Sequence, residues 1–92
     1  MTQRDFEWDP QKDQANVRKH RLTFEYASRV WLDPLRTDET DDGPDYGEAR
    51  RRTIGEVQGK MVLVIYTERD SVIRIISARR PNAHEKRNQQ NG

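Results

Sequence analysis

The chain of 92 residues contains no cysteine, and this absence excludes both a disulfide framework and thiolate zinc sites. No apolar run approaches the ~18 residues that a membrane span needs, and residues 1–5 show no apolar signal region. Only 32% of the residues are hydrophobic, so a thin core is expected. We expect one cytoplasmic domain over residues 6–87, no membrane association, and flexible ends at 1–5 and 88–92.

Motifs of several enzyme classes are also absent. The sequence has no glycine-rich phosphate loop, no His-Glu-x-x-His zinc motif and no Gly-x-Ser-x-Gly turn. Neither His20 nor His84 has a second metal ligand three or four positions away. A calcium loop starting at Asp38 is rejected because Thr40 and Ala49 stand where that motif needs acidic residues. The sequence therefore predicts no metal site and no cofactor.

Charge is present in abundance and is unevenly distributed. Charged residues make up 36% of the chain, but the net charge is only +1. Residues 33–49 hold one arginine and seven acids, whereas residues 50–92 hold ten basic residues and four acids. The basic C-terminal half is the part expected to attract phosphates. A purely solubilising basic surface is an equally good reading of the charge alone.

Two β-branched runs in the C-terminal half predict an antiparallel hairpin. Residues 62–66 and 72–76 are rich in valine and isoleucine, and they flank a short polar turn at residues 69–71. The second run carries Arg74 and leads into Arg79 and Arg80. Since a rigid strand positions anion-binding groups well, these arginines are candidates for phosphate binding.

The N-terminal part predicts one short strand and two helices. Residues 6–8 alternate apolar and polar, and Asp9-Pro10 is a good start for a helix that reaches about His20 or Arg21. Thr23 is the expected cap of a second helix over residues 24–32, which faces the core. Asp33-Pro34 ends that helix.

The remaining segments complete the predicted order. Residues 35–49 are expected to form a polar, solvated loop, and residues 50–57 a third strand of the C-terminal sheet. Asn82 and Glu85 resemble a capping box that begins a short terminal helix. The predicted fold is α+β, with the order β-α-α-β-β-β-α and a small antiparallel sheet with helices packed on one face.

The residues that remain for chemistry are cations and imidazoles. Metal-free RNA cleavage needs a base for the 2′-OH, cations for the phosphorane and an acid for the leaving oxygen. Histidine serves as base or acid near neutral pH, and arginine suits bidentate phosphate contact. Lys19-His20 at a helix end and Arg79-Arg80 at a strand end supply these groups if the fold brings them together.

Structural roles are an open alternative for each of these residues. His20 near a helix end suits the helix dipole, and Arg74 can form a cross-strand pair with Glu68. Arg79 and Arg80 can stay solvated, and Glu85 can serve only as a helix-cap partner. Trp8 and Trp31 are expected in the core.

Several segments together resemble the BrnT toxin family. They are Phe6-Glu-Trp-Asp-Pro-x-Lys12, Asn16-x-x-Lys-His20, Phe24-Glu-x-Ala27, Asp33-Pro34, Thr53-Ile-Gly55, Tyr66-Thr-Glu-Arg69 and Arg74-Ile-Ile-Ser-Ala-Arg-Arg80. The resemblance covers residues 6 to about 87. The Lys-His pair and the Ile-Ser-Ala-Arg-Arg run, in this order, make it specific.

The resemblance implies a RelE-like α+β fold and a metal-independent endoribonuclease toxin of a type II toxin–antitoxin pair. It implies cleavage of mRNA, and thus inhibition of translation, and a BrnA-like ribbon-helix-helix antitoxin that forms a hetero-oligomer with the toxin. Operator DNA would be bound only through that antitoxin. By position, the candidate catalytic residues are Lys19, His20, Arg79 and Glu85. Candidate RNA and phosphate contacts are Arg69, Arg74 and Arg80.

Two departures from the family pattern favour a second hypothesis. Arg21 stands where relatives usually have glycine, and Asn88 or Gln89 stands where many have tyrosine. The alternative is a catalytically inactive module that binds RNA or antitoxin and acts in operon autoregulation.

Overall fold

The two apolar runs form the centre of a five-stranded sheet. The computed structural model of the protein describes residues 5–41 and 49–86. The strands are β1 (Asp5–Glu7), β2 (Thr37–Thr40), β3 (Arg51–Val57), β4 (Lys60–Arg69) and β5 (Val72–Arg79), in the spatial order β1-β5-β4-β3-β2. The predicted pairing of the last three strands is confirmed, since β3–β4 and β4–β5 are both antiparallel.

Tight turns with positive φ angles join these three central strands. Gln58 and Gly59 have φ angles of 52° and 83°, and Asp70 and Ser71 have φ angles of 53° and 69°. Two-residue turns of this kind match the right-handed twist of antiparallel strands. They therefore fix the register in which Val57 pairs with Lys60, and Arg69 with Val72.

Both predicted N-terminal helices form, and their caps are the predicted ones. The helix α1 (Pro10–His20) begins where the Asp9 carboxylate accepts the backbone N–H of Gln11, at 2.9 Å. The helix α2 (Phe24–Ser28) is capped by the Thr23 hydroxyl and continues as a 3-10 helix (Arg29–Leu32). The second predicted helix thus ends earlier as a regular α-helix and tightens in its last turn.

The core lies between the sheet and α2. Phe24, Ala27 and Val30 pack against alternate residues of β4 and β5, and all three are fully buried. Trp8 and Trp31 pack against the edge of this core, as predicted. The face of the sheet that α2 covers is called the helical face below. Leu63 projects to the opposite face and is also fully buried, which explains why the run in β4 is continuously apolar.

The prediction that residues 35–49 form a loop was wrong in part, because Thr37–Thr40 form the strand β2. This strand pairs with β3, so that Asp38 lies opposite Thr53 and Glu39 opposite Arg52. Its sequence is polar, and hydrophobic periodicity does not detect a strand at a sheet edge whose pairing uses charged side chains. Asp42 of the rejected calcium loop lies outside the described residues.

The sheet is mixed, whereas an antiparallel sheet was predicted. β1 pairs in parallel with β5, with Phe6 opposite Ile73 and Glu7 opposite Arg74. Arg74 accordingly forms an ion pair with Glu7, at 2.7 Å between Nη1 and Oε2, and the predicted pairing with Glu68 was wrong. A long connection that places the first strand beside the last one leaves no local signal in the sequence.

The C-terminal segment contacts the face of the sheet opposite α2. Residues 83–86 are helical, and the predicted capping box is confirmed: the Asn82 and Glu85 side chains each accept the other's backbone N–H, at 2.9 Å. The Glu85 side chain reaches Arg79 on that opposite face. The prediction that all helices pack on one face was therefore wrong. The expected flexible ends lie outside the described residues, apart from Asp5.

No helix in the described part of the chain is long and apolar enough to cross a membrane.

Candidate functional site

The C-terminal end of α1 forms one corner of the molecule. Its last helical residue is His20, and Arg21 follows in a left-handed conformation with φ of 62°. The backbone N–H of Arg21 donates to the carbonyl of Val17 at 2.8 Å and closes the helix. Glycine is the usual residue in this conformation because a Cβ atom is disfavoured there. The backbone conformation of Arg21 is therefore strained.

Asn16 fixes this corner against the sheet. Its side-chain amide donates to the carbonyl of Ala78 at 2.9 Å, and its side-chain oxygen accepts the N–H of Ala78 at 3.1 Å. The same amide also donates to the carbonyl of Leu22 at 2.9 Å. Asn16 thus provides hydrogen-bond partners for the backbone groups of Ala78, at the part of the β5 edge that β1 does not cover. It also holds α1 next to the end of β5. Composition and periodicity did not single out this residue, because a buried asparagine breaks the apolar pattern.

A pocket at this corner gathers three cations. It has a volume of about 430 Å³ and is lined in part by Arg21, Lys60 and Arg80, together with Tyr26 and Gln58. Arg80 donates from Nη1 to the carbonyl of Met61 at 3.0 Å, and its guanidinium lies 5.8 Å from the centre of the Tyr26 ring. Arg21 and Lys60 were not among the predicted site residues.

Lys19 and His20 are the last two residues of α1 and directly precede the pocket residue Arg21 in the chain. Lys19 is exposed, and His20 is half-buried one helical turn beyond Asn16 on the same side of α1. Among residues 5–41 and 49–86, neither side chain has a hydrogen-bond or ion-pair partner. Since consecutive Cα atoms lie about 3.8 Å apart, His20 is directly adjacent to the pocket residue Arg21.

Arg79 is the last residue of β5, near the same corner, but its side chain lies on the face of the sheet opposite the helical face. Its Nη1 and Nη2 atoms donate to the two carboxylate oxygens of Glu85, both at 2.9 Å. This bidentate pair lowers the pKa of Glu85 and raises the pKa of Arg79, chiefly through the hydrogen bonds between them. Arg52 lies 4.0 Å from the same carboxylate. The structure thus brings Arg79 and Glu85 together, while Arg80 alone of the predicted residues lines the pocket.

Arg69 and Arg74 lie at the other end of the hairpin. They line a second pocket of about 380 Å³ together with Glu7 and Asp70. Arg74 is five residues before Arg79 on β5, which corresponds to roughly 16 Å along an extended strand. The predicted phosphate contacts therefore form two separate groups and do not form one continuous site.

A polar cluster that the sequence did not predict connects β2 to the helical face. The Asp38 carboxylate accepts hydrogen bonds from Arg36 at 2.9 Å, from Arg51 at 3.0 Å and from the Tyr66 hydroxyl. Burial, with the hydrogen bond to Asp38, raises the pKa of Tyr66 to about 12. The hydrogen bond with Tyr66 and the charge of Asp38 raise the pKa of Arg51. Trp31 packs edge-on against Tyr66 with ring centres 4.9 Å apart.

These features define a class of protein. A small α+β domain that collects three cations in a pocket at a helix end is suited to contact the phosphates of a nucleic acid. No group of three or more potential metal ligands occurs within the described ranges.

The chain belongs to the family described as ribonuclease toxin, BrnT, of type II toxin–antitoxin system, whose sequence profile matches residues 8–85. This family membership makes the chain a ribonuclease toxin, with RNA as substrate and an antitoxin as partner. No curated protein matches the chain.

Proposed function

We propose that the chain is a metal-independent endoribonuclease that cleaves mRNA and thereby inhibits translation. The observation that carries this proposal is the corner at which α1 ends, where Arg21, which follows His20 in the chain, lines a pocket with Lys60 and Arg80. Single-stranded RNA is the expected substrate, because its 2′-OH groups and phosphates are accessible.

In the proposed reaction the 2′-OH of one nucleotide attacks the adjacent phosphate. A new bond forms between the 2′-oxygen and phosphorus, and the bond from phosphorus to the 5′-oxygen breaks. The base removes the 2′-OH proton, and the acid protonates the leaving 5′-oxygen. The products are a 2′,3′-cyclic phosphate and a 5′-OH. His20 is the proposed base or acid, a role that contributes ~10²–10⁴-fold to such reactions.

The proposed cationic residues stabilise the charge that develops on the phosphate. Arg79 is the proposed phosphate clamp, which reaches the reacting phosphate from the face of the sheet opposite the corner pocket, and Glu85 orients its guanidinium through the bidentate pair. Lys19 adds a positive charge beside His20. Arg80 contacts the substrate at the same corner, whereas Arg69 and Arg74 contact phosphates further along the RNA.

The partner is proposed to be a BrnA-like antitoxin with a ribbon-helix-helix DNA-binding end. Toxin and antitoxin would form a hetero-oligomer, and operator DNA would be contacted only by the antitoxin. We further propose a RelE-like fold, a single domain over residues 6–87 and a cytoplasmic site of action, which is where mRNA is translated.

Growth assays with single substitutions test the catalytic assignment. Expression without antitoxin should arrest growth, and His20→Ala and Arg79→Ala should each relieve the arrest. His84→Ala and Arg18→Ala are the matched controls and should keep full toxicity. Complete growth arrest by both site variants, at equal protein level, would remove His20 and Arg79 from the mechanism.

The pairing of Arg79 supports a second candidate function. Both of its terminal nitrogens are already engaged by Glu85, so a phosphate would compete with a carboxylate for them. The chain would then be an inactive module that binds RNA or antitoxin and acts in operon autoregulation. Incubation of purified protein with RNA in EDTA separates the two functions. Fragments with cyclic phosphate ends eliminate the inactive module, and RNA that is bound but intact eliminates metal-independent cleavage.

A further inference from the structure

The corner pocket differs in charge from two other pockets in the described part of the chain. The pocket at the hairpin tip contains Arg69 and Arg74, but Glu7 and Asp70 balance them. A third pocket, of about 510 Å³, contains one arginine and two carboxylates. In the corner pocket, as far as the described residues show, three cations converge and no carboxylate lines the wall. Of these three pockets, the corner pocket is therefore the one suited to receive an anion.

We propose that the corner pocket is an anion subsite in which Arg21, Lys60 and Arg80 bind a backbone phosphate of single-stranded RNA next to the reacting phosphate. This inference rests on the proposed function, because it assigns the pocket a place along the same RNA strand. The subsite would hold the strand in register, so that the neighbouring 2′-OH lies near His20.

The strained backbone at Arg21 supports a functional role for its side chain. Arg21 has φ of 62°, a conformation in which glycine would relieve the strain. Residues kept in such conformations are found at functional sites, where their side chains serve a purpose that outweighs the strain. Here the arginine adds one of the three positive charges of the pocket.

Lys60 and Arg80 are held in place by the fold around them. Lys60 follows the tight turn at Gln58 and Gly59 and pairs with Val57 across it. Arg80 is tied to the carbonyl of Met61 by one nitrogen, which leaves its other N–H groups for a ligand. A guanidinium that is already ordered loses less conformational entropy on binding.

Phosphate fits the pocket better than a nucleobase does. The guanidinium of Arg80 lies near the ring of Tyr26, and the Tyr26 hydroxyl donates to the carbonyl of Val57 at 3.1 Å. This ring is half-buried and engaged by a cation, so a base has little surface on which to stack. Three cations around an open cavity instead match the charge of a sugar–phosphate backbone.

Binding of a fluorescently labelled 2′-O-methyl RNA of mixed sequence tests the subsite. This oligonucleotide lacks the attacking 2′-OH, so its affinity is measured independently of cleavage. Arg21→Gln, Lys60→Gln and Arg80→Gln should each weaken binding about fivefold and lower the slope of log K against log salt by up to ~0.7. Lys12→Gln and Arg18→Gln remove the same charge outside the pocket and should change affinity less than about twofold.

Arg21→Gly distinguishes a binding role from a structural one. Relief of the left-handed strain should raise the Tm by about 4 °C, while RNA binding weakens as much as in Arg21→Gln. A variant that gains stability and loses affinity supports the subsite. If Arg21→Gly loses both thermal stability and RNA affinity, or if its RNA affinity is unchanged, the binding role of Arg21 is not supported and the proposal is overturned.

The remaining outcomes separate this inference from the proposed function. Pocket variants that bind RNA like the wild type overturn the subsite. It is equally overturned if they keep RNA affinity but lose a coexpressed antitoxin on purification, because the pocket would then bind a protein. If the pocket variants bind weakly and the wild type never cleaves unmodified RNA, the subsite stands and the proposed endoribonuclease fails.

Discussion

The two ends of the helical face carry similar numbers of cations in opposite settings. At the end near β2, Arg36 and Arg51 share the carboxylate of Asp38, which compensates one of their two charges. At the corner where α1 ends, Arg21, Lys60 and Arg80 converge without a carboxylate among the described lining residues. The first end holds the fold together, and the second is left to bind an anion. Compensation of charge is what distinguishes the two ends.

The charge segregation in the sequence does not persist in the folded protein. The acidic segment and the basic half look like separate blocks, but β2 lies antiparallel to β3 and pairs them. Asp38 contacts Arg51, and Glu39 contacts Arg52 at 2.7 Å. Much of the basic half is therefore neutralised within the fold. Only a small part of the positive charge is left to attract an anion. Which residues carry it becomes clear only when the pairing of the strands is known.

The largest effect should come from Asn16→Ala, which releases the corner from the sheet. The change leaves the buried N–H and carbonyl of Ala78 and the carbonyl of Leu22 without partners. We expect a loss of about 3 kcal/mol in the free energy of unfolding, measured by urea denaturation. Gln14→Ala, at an exposed position of the same helix, is the control. Equal stability of the two variants would mean that Asn16 does not hold the corner.

The next effect should come from Asp38→Ala at the compensated end. The buried Tyr66 hydroxyl loses its acceptor, and two arginines lose their carboxylate, so about 2 kcal/mol of stability should be lost. Glu39→Ala, on the same strand but facing the other way, should lose at most about 0.5 kcal/mol, since its pair with Arg52 is exposed. Thermal unfolding of both variants measures the difference. A similar loss for the two would contradict the distinction between structural and superficial pairs.

Tyr66→Phe sharpens the same comparison at alkaline pH. The pKa of Tyr66 is raised from 10.0 to about 12, so the folded state holds its proton more tightly than the unfolded state. Tyr66 therefore contributes stability in full below pH 10, and this contribution is lost as the pH rises toward 12. Urea midpoints across this window should fall for the wild type and stay flatter for Tyr66→Phe.

Titration of tyrosinate absorbance provides the independent check. The folded wild type should show a tyrosine ionisation with a pKa of about 12, and that late step should be missing in Tyr66→Phe. Absence of the late step from the folded wild type would show that the Asp38 cluster does not enclose Tyr66.

The smallest effect should come from Glu85→Gln, which keeps the capping box but removes the charge opposite Arg79. The pKa of Glu85 is lowered, so the pair stabilises the fold above the ordinary value of 4.5 and loses this effect as the pH falls below it. At neutral pH the variant should lose about 1 kcal/mol, and the loss should disappear in acid. Denaturation at several pH values measures it.

The same variant converts a compensated arginine into an uncompensated one. RNA affinity should rise about twofold to threefold because a negative charge beside the phosphate clamp Arg79 is removed. Glu25→Gln removes an equal charge from an exposed helical position and serves as the control. Unchanged affinity in Glu85→Gln would contradict the view that the Glu85 carboxylate weakens the attraction of Arg79 for phosphate.

The sequence by itself determined the local structure of this protein. The Asp9-Pro10 and Thr23 signals start helices, the Asn82–Glu85 box forms as predicted, and the β-branched runs become β4 and β5. Each of these follows from interactions between residues close in the chain. The family pattern likewise followed from the motifs.

Only the tertiary structure decided which charged residues meet. The parallel pairing of β1 with β5, the strand β2 and the anchoring of α1 by Asn16 all join segments distant in the chain. Arg21 and Arg51 look alike in the sequence, yet one enters a cationic pocket and the other a carboxylate cluster. The physical reason is that electrostatic compensation depends on distance in space, and no local pattern encodes that distance.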